Sequence, residues 1–404
     1  MRFAIADLEL AGPLPELVLE PDQTGIALLL RRAGRPIHFS LHEQPPGARL
    51  APAAVLELVG REAGLGLLEG ALRDELLAPL GKSPTSLTVA ICTRNRTELL
   101  AGCLRSLLAL RSAGQPDFDV LVVDNDPPDG TTEALIASLP GVRYVREPRA
   151  GLDFARNRAL AVSGSEFIAY LDDDVVVDHG WLGGLDEALA ENPDAGAITG
   201  LVLPYELESE AQIVFERRGG FGRGCDKQRW MGQRQPENPL YPTGAGIFGA
   251  GCNMVLRRSV LTALGGFDEA LDTGPPLPGG GDLDIFYRVI RHGRPLVYEP
   301  SMLVWHRHRR DHAGLRRQYW SWGEGFMAFV AKTWAAEPAQ RPKLARLVSW
   351  WLGYELRELA GSLTGRAPHS PDLALAELLG GIRGLAGSYG RSQRRTERIR
   401  AAHA

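Results

Sequence analysis

The chain has 404 residues, a formal net charge of −4, 44% hydrophobic and 23% charged residues, the balance of an ordinary globular protein with room for one large or two to three ordinary domains. Nothing in that charge draws the chain towards nucleic acid, and none is expected as a partner. The four cysteines (Cys92, Cys103, Cys225, Cys252) lie far apart without C-x-x-C spacing, which argues against a zinc site or a disulfide frame and predicts reduced thiols in a cytoplasmic setting.

No apolar run approaches the roughly 18–20 residues of a membrane-spanning helix. Asp7 and Glu9 interrupt what would otherwise be a signal-peptide core. Residues 1–83 predict a small α+β appendage. Its pieces are two strands around a Gly-containing turn between Gly25 and Phe39, then helical periodicity from Val55 to Leu77, broken at Gly64 and Gly66. Gly81-Lys82-Ser83-Pro84 predicts a linker into a second unit, residues 84–312.

There the pattern alternates. Leu87–Cys92 predicts a strand, Glu98–Leu110 a helix, Val120–Asp124 a strand, Thr131–Ser138 a helix, Val142–Val145 a strand and Leu152–Val162 a helix. Phe167–Leu171 predicts a further strand that runs directly into Asp172-Asp173-Asp174, and helix Trp181–Ala190 follows. Strands alternating with helices imply βαβ units on a mainly parallel sheet, with right-handed crossovers. Ligands gather outside the carboxyl ends of such strands. Three adjacent carboxylates at one strand end raise each other's pKa and call for a positive partner, and a hard divalent cation, Mg²⁺ or Mn²⁺, suits carboxylate oxygen. Thr93-Arg94-Asn95-Arg96 and Asp124-Asn125-Asp126 follow the neighbouring strands. Asp124 is suited to accept from a nucleobase N–H or a ribose hydroxyl, and an Arg to meet phosphate. Taken singly, Asn95 and Thr97 are also good helix caps.

Val89–Arg96, Val122–Asp126, Gly151–Asn157 and Leu171–Asp174 together resemble the successive motifs of family 2 glycosyltransferases, over about residues 85–310. The resemblance implies a GT-A fold, a mixed and mainly parallel sheet with flanking helices. It further implies a nucleotide-diphospho-sugar donor (a UDP-sugar favoured), a divalent metal and inversion at the anomeric carbon. On that match Thr93, Arg94, Asn95, Asp124, Arg156, Asp172 and Asp173 lie at the donor, and Asp172 and Asp174 take the metal.

Glu206–Pro242 reads as a long polar, Gly- and Arg-rich loop on the acceptor side. Gly244–Gly249 spells G-x-G-x-x-G, but Pro242 precedes it and a strand-like stretch, Cys252–Leu256, follows. A dinucleotide site is therefore rejected in favour of close backbone approach beside a sugar. In Gly279–Arg288, Asp282 falls near a predicted helix N-terminus, which favours its ionised form. The stretch resembles the family's ED motif and implies Asp282 as the base. Gly281 stands where the family has Glu, which leaves Asp284, expected on the acceptor side with Trp305, as a competitor. His306 matches a position implied to complete the metal site, and Arg307 and Arg309 are placed to offset diphosphate charge.

Residues 313–404 predict a helical region. It holds five of the eight tryptophans, Trp320, Trp322, Trp334, Trp350 and Trp351, together with a basic end, Arg391–Arg400. Such helices suit a lipid-linked or glycan acceptor or peripheral contact with an anionic membrane, and equally a plain helical core. The function expected is an inverting, metal-dependent glycosyltransferase. A sugar-nucleotide-forming nucleotidyltransferase is the second reading, although Thr93–Arg96 lacks the glycines it would want. A degenerate, non-catalytic nucleotide-sugar-binding protein is the third.

Overall fold

The structure is a computed structural model, and it describes residues 1–76, 85–112, 118–232, 234–235, 237–274, 276–367 and 369–403. The predicted linker at Gly81–Pro84 lies outside the described residues. The N-terminal segment contains β1 (Phe3–Glu9), β2 (Leu17–Val18), β3 (Gly25–Arg32), β4 (Arg35–Glu43), β5 (Arg49–Leu50) and α1 (Pro52–Leu76). β1, β3 and β4 form a three-stranded sheet. α1 runs unbroken through Gly64 and Gly66, where sequence periodicity falters. Val55, Val59 and Ala63 pack onto Ile26, Leu28 and Leu30 of β3, and that burial outweighs the glycine cost of about 1 kcal/mol each.

The central sheet contains β6 (Leu87–Thr93), β7 (Asp119–Asn125), β8 (Val142–Glu147), β9 (Phe167–Asp172), β10 (Val175–Val177), β11 (Ala197–Pro204), β12 (Gln228–Trp230), β13 (Asn253–Arg257) and β14 (Leu296–His306). Its order is β10-β14-β11-β13-β9-β6-β7-β8, with β12 added on β14. The block β9-β6-β7-β8 is parallel, while β13 and β10 run antiparallel to their neighbours. The connecting helices are α2 (Thr97–Ser112), α3 (Thr131–Ala137), α4 (Leu152–Val162), α5 (Trp181–Glu191), α6 (Glu210–Arg217), α7 (Arg258–Ala263) and α8 (Gly281–Arg291).

Side chains alternate between two cores across this sheet. On β9, Ile168 and Tyr170 face one, and Phe167, Ala169 and Leu171 the other. On β7, Leu121 and Val123 are set against Val120 and Val122 in the same way. Both faces are covered, so these strands read as unbroken apolar runs instead of alternating ones. Each such side chain contributes about 1.5–3 kcal/mol by burial.

The segment read as one long loop, Glu206–Pro242, contains α6 and β12. α6 begins in a capping box, with the Ser209 hydroxyl accepting from the Gln212 N–H and the Gln212 amide reaching back, and it buries Ala211, Ile213 and Phe215. Eight residues between polar and Gly-rich flanks are too few for the helical period to show. The last helices are α9 (His312–Ala336), α10 (Arg341–Leu363), α11 (Pro371–Arg383) and α12 (Tyr389–Ala402), the last two joined by a π-helical turn at Gly384–Ser388. Gly323 and Gly380 permit close packing of α9 on α11, since a Cβ at either would fall 2.0–2.2 Å from a backbone oxygen of the facing helix.

Candidate active site

The parallel register sets Thr93 beside Asp124 and Cys92 beside Asp172, so the ends of β6, β7 and β9 meet at one rim. Beyond β9, Asp173 and Asp174 turn the chain into β10, whose Val175 pairs with His306 at the end of β14. The Arg307 N–H donates to the Asp174 carbonyl at 3.0 Å and locks this corner.

The three acids separate by role. Asp173 is buried and accepts from the Thr93 hydroxyl at 2.7 Å and from Arg96 Nη1 at 2.6 Å. Asp174 Oδ2 accepts from Arg96 Nη2 at 3.0 Å, while its buried Oδ1 receives no hydrogen bond and lies 3.3 Å from His306 Nε2. Asp172, Asp174 and His306 each offer a ligand atom, all within 4.8 Å of one another, the group of this kind found among the described residues. A carboxylate oxygen without a donor beside an imidazole nitrogen fits a divalent cation between them. Burial, then the Asp174 charge, pushes the Asp172 carboxyl up to about 7. Burial pushes Asp173 up to about 6 against the opposing pull of Arg96. Burial drives His306 down to about 4 despite Asp174, so the ring is neutral, the form that ligates.

Asp124 is fully buried. Its Oδ2 accepts from the Tyr144 hydroxyl at 3.1 Å, whereas Oδ1 has no donor and is free to take one from a ligand. Asn125 ties the neighbouring turn, donating to the Arg149 carbonyl at 2.7 Å and accepting from the Gly151 N–H at 2.9 Å. Gly151, at φ 147, then opens α4 and delivers Asp153 and Arg156 to the site. Arg156 Nη1 donates to Asp153 Oδ1 at 2.9 Å and to Asp272 Oδ2 at 3.2 Å. Burial pushes both of those carboxyls upward, and the Arg156 charge opposes it.

Asp282 lies in the first turn of α8, entered through Gly280 at φ 100. Its Oδ2 accepts from the Gly251 N–H at 3.1 Å and Oδ1 from the Leu283 N–H at 2.8 Å. A Cβ on Gly251 would fall 3.0 Å from Asp282 Cβ and 3.1 Å from Arg156 Nη2, so this glycine lets backbone, base candidate and cation meet. It stands just past the Gly244–Gly249 stretch singled out in the sequence. At Gly281, a Cβ would fall 2.3 Å from an Asp153 oxygen and 2.6 Å from an Asp272 oxygen. Two carboxylates from distant positions thus occupy the room that a side chain at 281 would need.

Other predicted residues stand apart. Arg94 pairs with Asp126 at an exposed position, and it is Arg96 that reaches the acid triplet. Asn95 takes a left-handed φ of 56 and turns the chain out of β6, a conformation Asn tolerates better than most side chains. Asp284 has both oxygens engaged, by Arg288 Nε at 2.7 Å and Lys332 Nζ at 2.6 Å, and pins α8 to α9. Trp305 directs its Nε1–H to Asp178 Oδ2 at 3.4 Å. Sequence reasoning passed over Arg96 and Asp153, both inside quoted motifs, and over Asp272, which no local motif marks.

Residues 88–265 match the family described as Glycosyl transferase family 2. The chain is 28% identical over 278 residues to the pre-mycofactocin glycosyltransferase of Mycobacterium tuberculosis, covering 64% of this chain and 54% of that protein. It is 30% identical over 223 residues to the succinoglycan biosynthesis protein ExoM of Rhizobium meliloti, covering 54% of this chain and 65% of that protein. It therefore spans between half and two thirds of the length of these relatives. A mannosyltransferase from Pyrobaculum calidifontis, solved with GDP-Man and Mn²⁺, aligns at TM-score 0.47 and 18% identity over 87% of this chain and 97% of that one. The matched segment contains Asp124, Arg156 and the acid triplet, so the likeness to glycosyl transferase family 2 takes in these residues.

Proposed function

We propose that the protein is an inverting, metal-dependent glycosyltransferase that moves a sugar from a nucleoside-diphosphate donor to an acceptor hydroxyl. The observation that carries this reading is the convergence of Asp172, Asp174 and His306 within 4.8 Å of one another at the rim that also holds Asp124. Asp124 Oδ1 accepts from the nucleobase. Asp172 and Asp174, with His306, hold Mg²⁺ or Mn²⁺, which when bound supplies positive charge to the departing diphosphate. Arg96 keeps Asp173 and Asp174 in place. Asp282, held by two backbone N–H groups, takes the proton of the acceptor hydroxyl as its oxygen attacks the anomeric carbon from the face opposite the leaving group.

A glycan or lipid-linked acceptor is favoured. ExoM is named for succinoglycan biosynthesis, and Trp350, Tyr354, Leu379 and Ile382 leave apolar surface exposed on α10 and α11. No described helix is long and apolar enough to cross a membrane.

Incubating the protein with UDP-, GDP- and dTDP-sugars, with and without Mn²⁺, tests the reading. Slow, EDTA-sensitive release of nucleoside diphosphate from one donor, a UDP-sugar first among them, is the expected result. Release of pyrophosphate from sugar phosphate and NTP would establish the nucleotidyltransferase instead. Nucleotide binding without any turnover would leave a binding protein.

A further inference from the structure

A line of buried polar groups runs inward from the metal site and is not used by the chemistry above. His306 Nδ1 lies 3.0 Å from His308 Nδ1, and His308 Nε2 lies 2.7 Å from Glu216 Oε1 at the end of α6. The His308 side chain is 2% exposed and that of Glu216 is 6% exposed, so water is largely excluded. Phe221 packs edge-on against His306 at 4.9 Å, and Phe215 against His308 at 4.7 Å. Gln212 Nε2 donates to the His308 carbonyl at 3.3 Å and fixes the backbone. Gly220, at φ 49, lies where a Cβ would fall 2.4 Å from Glu216 Oε1, so the turn after α6 closes over this carboxylate only with glycine.

With both rings neutral, proton bookkeeping along this line has one solution. Two facing Nδ1 atoms share one hydrogen. A carboxylate accepts only, so Glu216 requires a hydrogen on His308 Nε2. A neutral His308 then has a bare Nδ1, which accepts from His306 Nδ1–H. A neutral His306 is left with its lone pair on Nε2, 3.3 Å from Asp174 Oδ1, the oxygen without a donor. Two acceptors 3.3 Å apart repel unless a cation stands between them.

We infer that Glu216 and His308 are positioning residues that fix the tautomer and ring orientation of His306, presenting its Nε2 lone pair to a divalent cation shared with Asp172 and Asp174. The inference rests on the metal-dependent reading above and extends it to His308, just past β14, and to Glu216, from a segment that looks like loop in sequence. Partners of this outer kind change metal affinity by about 10–100-fold when removed.

Two measurements on the full chain test it. The first is Mn²⁺ affinity, from loss of the free-ion EPR signal, for wild type, Glu216→Gln, His308→Asn and His308→Phe. Glu216→Gln keeps shape but loses the charge. His308→Asn keeps an acceptor near the Nδ1 position. The expected order is wild type tightest, Glu216→Gln and His308→Asn weaker, and His308→Phe weakest by about 10–100-fold. The second is the tautomer of His306 in metal-free protein, read from long-range ¹H–¹⁵N correlations of ¹⁵N-histidine-labelled samples. Nδ1–H is expected in wild type and a mixture in Glu216→Gln, a change that a merely structural role for Glu216 would not produce. If wild type binds Mn²⁺ and every variant binds it equally, or if wild-type His306 carries its hydrogen on Nε2, the inference is overturned and the metal reading stands. If wild type binds no Mn²⁺, the metal reading fails, and the tautomer comparison still decides whether Glu216 sets the ring.

Discussion

At the scale of single residues, neighbouring carboxylates have different tasks because their partners differ. Asp173 is consumed by Thr93 and Arg96, whereas Asp174 keeps an oxygen without a donor. Asp174→Ala is therefore expected to abolish Mn²⁺-dependent donor binding in a thermal-shift titration. Asp282→Asn keeps the shape and the Gly251 contact but cannot take a proton. It is expected to bind donor normally and lose transfer by about 10²–10⁴-fold, and full transfer by this variant would remove Asp282 as the base. Gly281→Glu adds the acid that the resembled motif carries. The space is already filled by Asp153 and Asp272, so the expected outcome is loss of transfer together with a lower melting temperature. Restored or improved transfer would show that the two aspartates yield.

At the scale of elements, the N-terminal sheet is fastened to the central one. Arg31 of β3 donates through Nη2 to Asp178 at 2.7 Å, and both side chains are at most 5% exposed. Asp178 is also the residue to which Trp305 points, one position before His306. Removing one partner of a buried pair leaves the other charge uncompensated, at about 3–5 kcal/mol. Arg31→Ala should cost that much in urea denaturation. Arg31→Met combined with Asp178→Leu should recover most of it, and a double variant as unstable as the single would show that the pair itself supplies the stability. The capping box of α6 acts at the same scale: Ser209→Ala should cost about 1 kcal/mol and loosen the helix that carries Glu216.

At the scale of the whole molecule, the C-terminal helices close around the catalytic sheet. Arg395 of α12 donates to the Thr273 carbonyl at 2.6 Å, one residue from Asp272, and burial followed by the nearby Arg94 charge lowers its pKa. Between α10 and α11, burial and then the Glu377 charge push the Glu355 carboxyl up to about 8. Burial likewise pushes Glu377 up to about 7, with Arg218 opposing. An acid whose folded pKa exceeds its ordinary value of 4.5 keeps its proton in the native state after the unfolded chain has released it. Stability from this pair is thus complete below about pH 4.5 and declines as pH rises to about 8. Glu355→Gln should flatten that decline in urea midpoints measured from pH 5 to 8, and an unchanged slope would assign the decline to other groups. If the exposed Trp350 and Tyr354 meet an anionic lipid surface, Trp350→Ser should reduce co-sedimentation with phosphatidylserine vesicles several-fold, and equal sedimentation would show that this surface makes no lipid contact.

The sequence by itself determined the parallel block, because strands buried on both faces must be apolar throughout, and their polar C-terminal ends then mark the rim. It also determined which acids stand there, since Asp124 and Asp172–Asp174 follow those strands directly. Local pattern does not carry the pairing of charges across the fold. Only the tertiary structure decided that Arg96 and not Arg94 reaches the triplet, that Asp153 and Asp272 fill the room beside Gly281, and that Glu216 stands behind His308. Those contacts include pairs 77, 92 and 116 residues apart, one of them on a helix too short to show its period, and long-range charge pairing follows packing geometry instead of spacing along the chain.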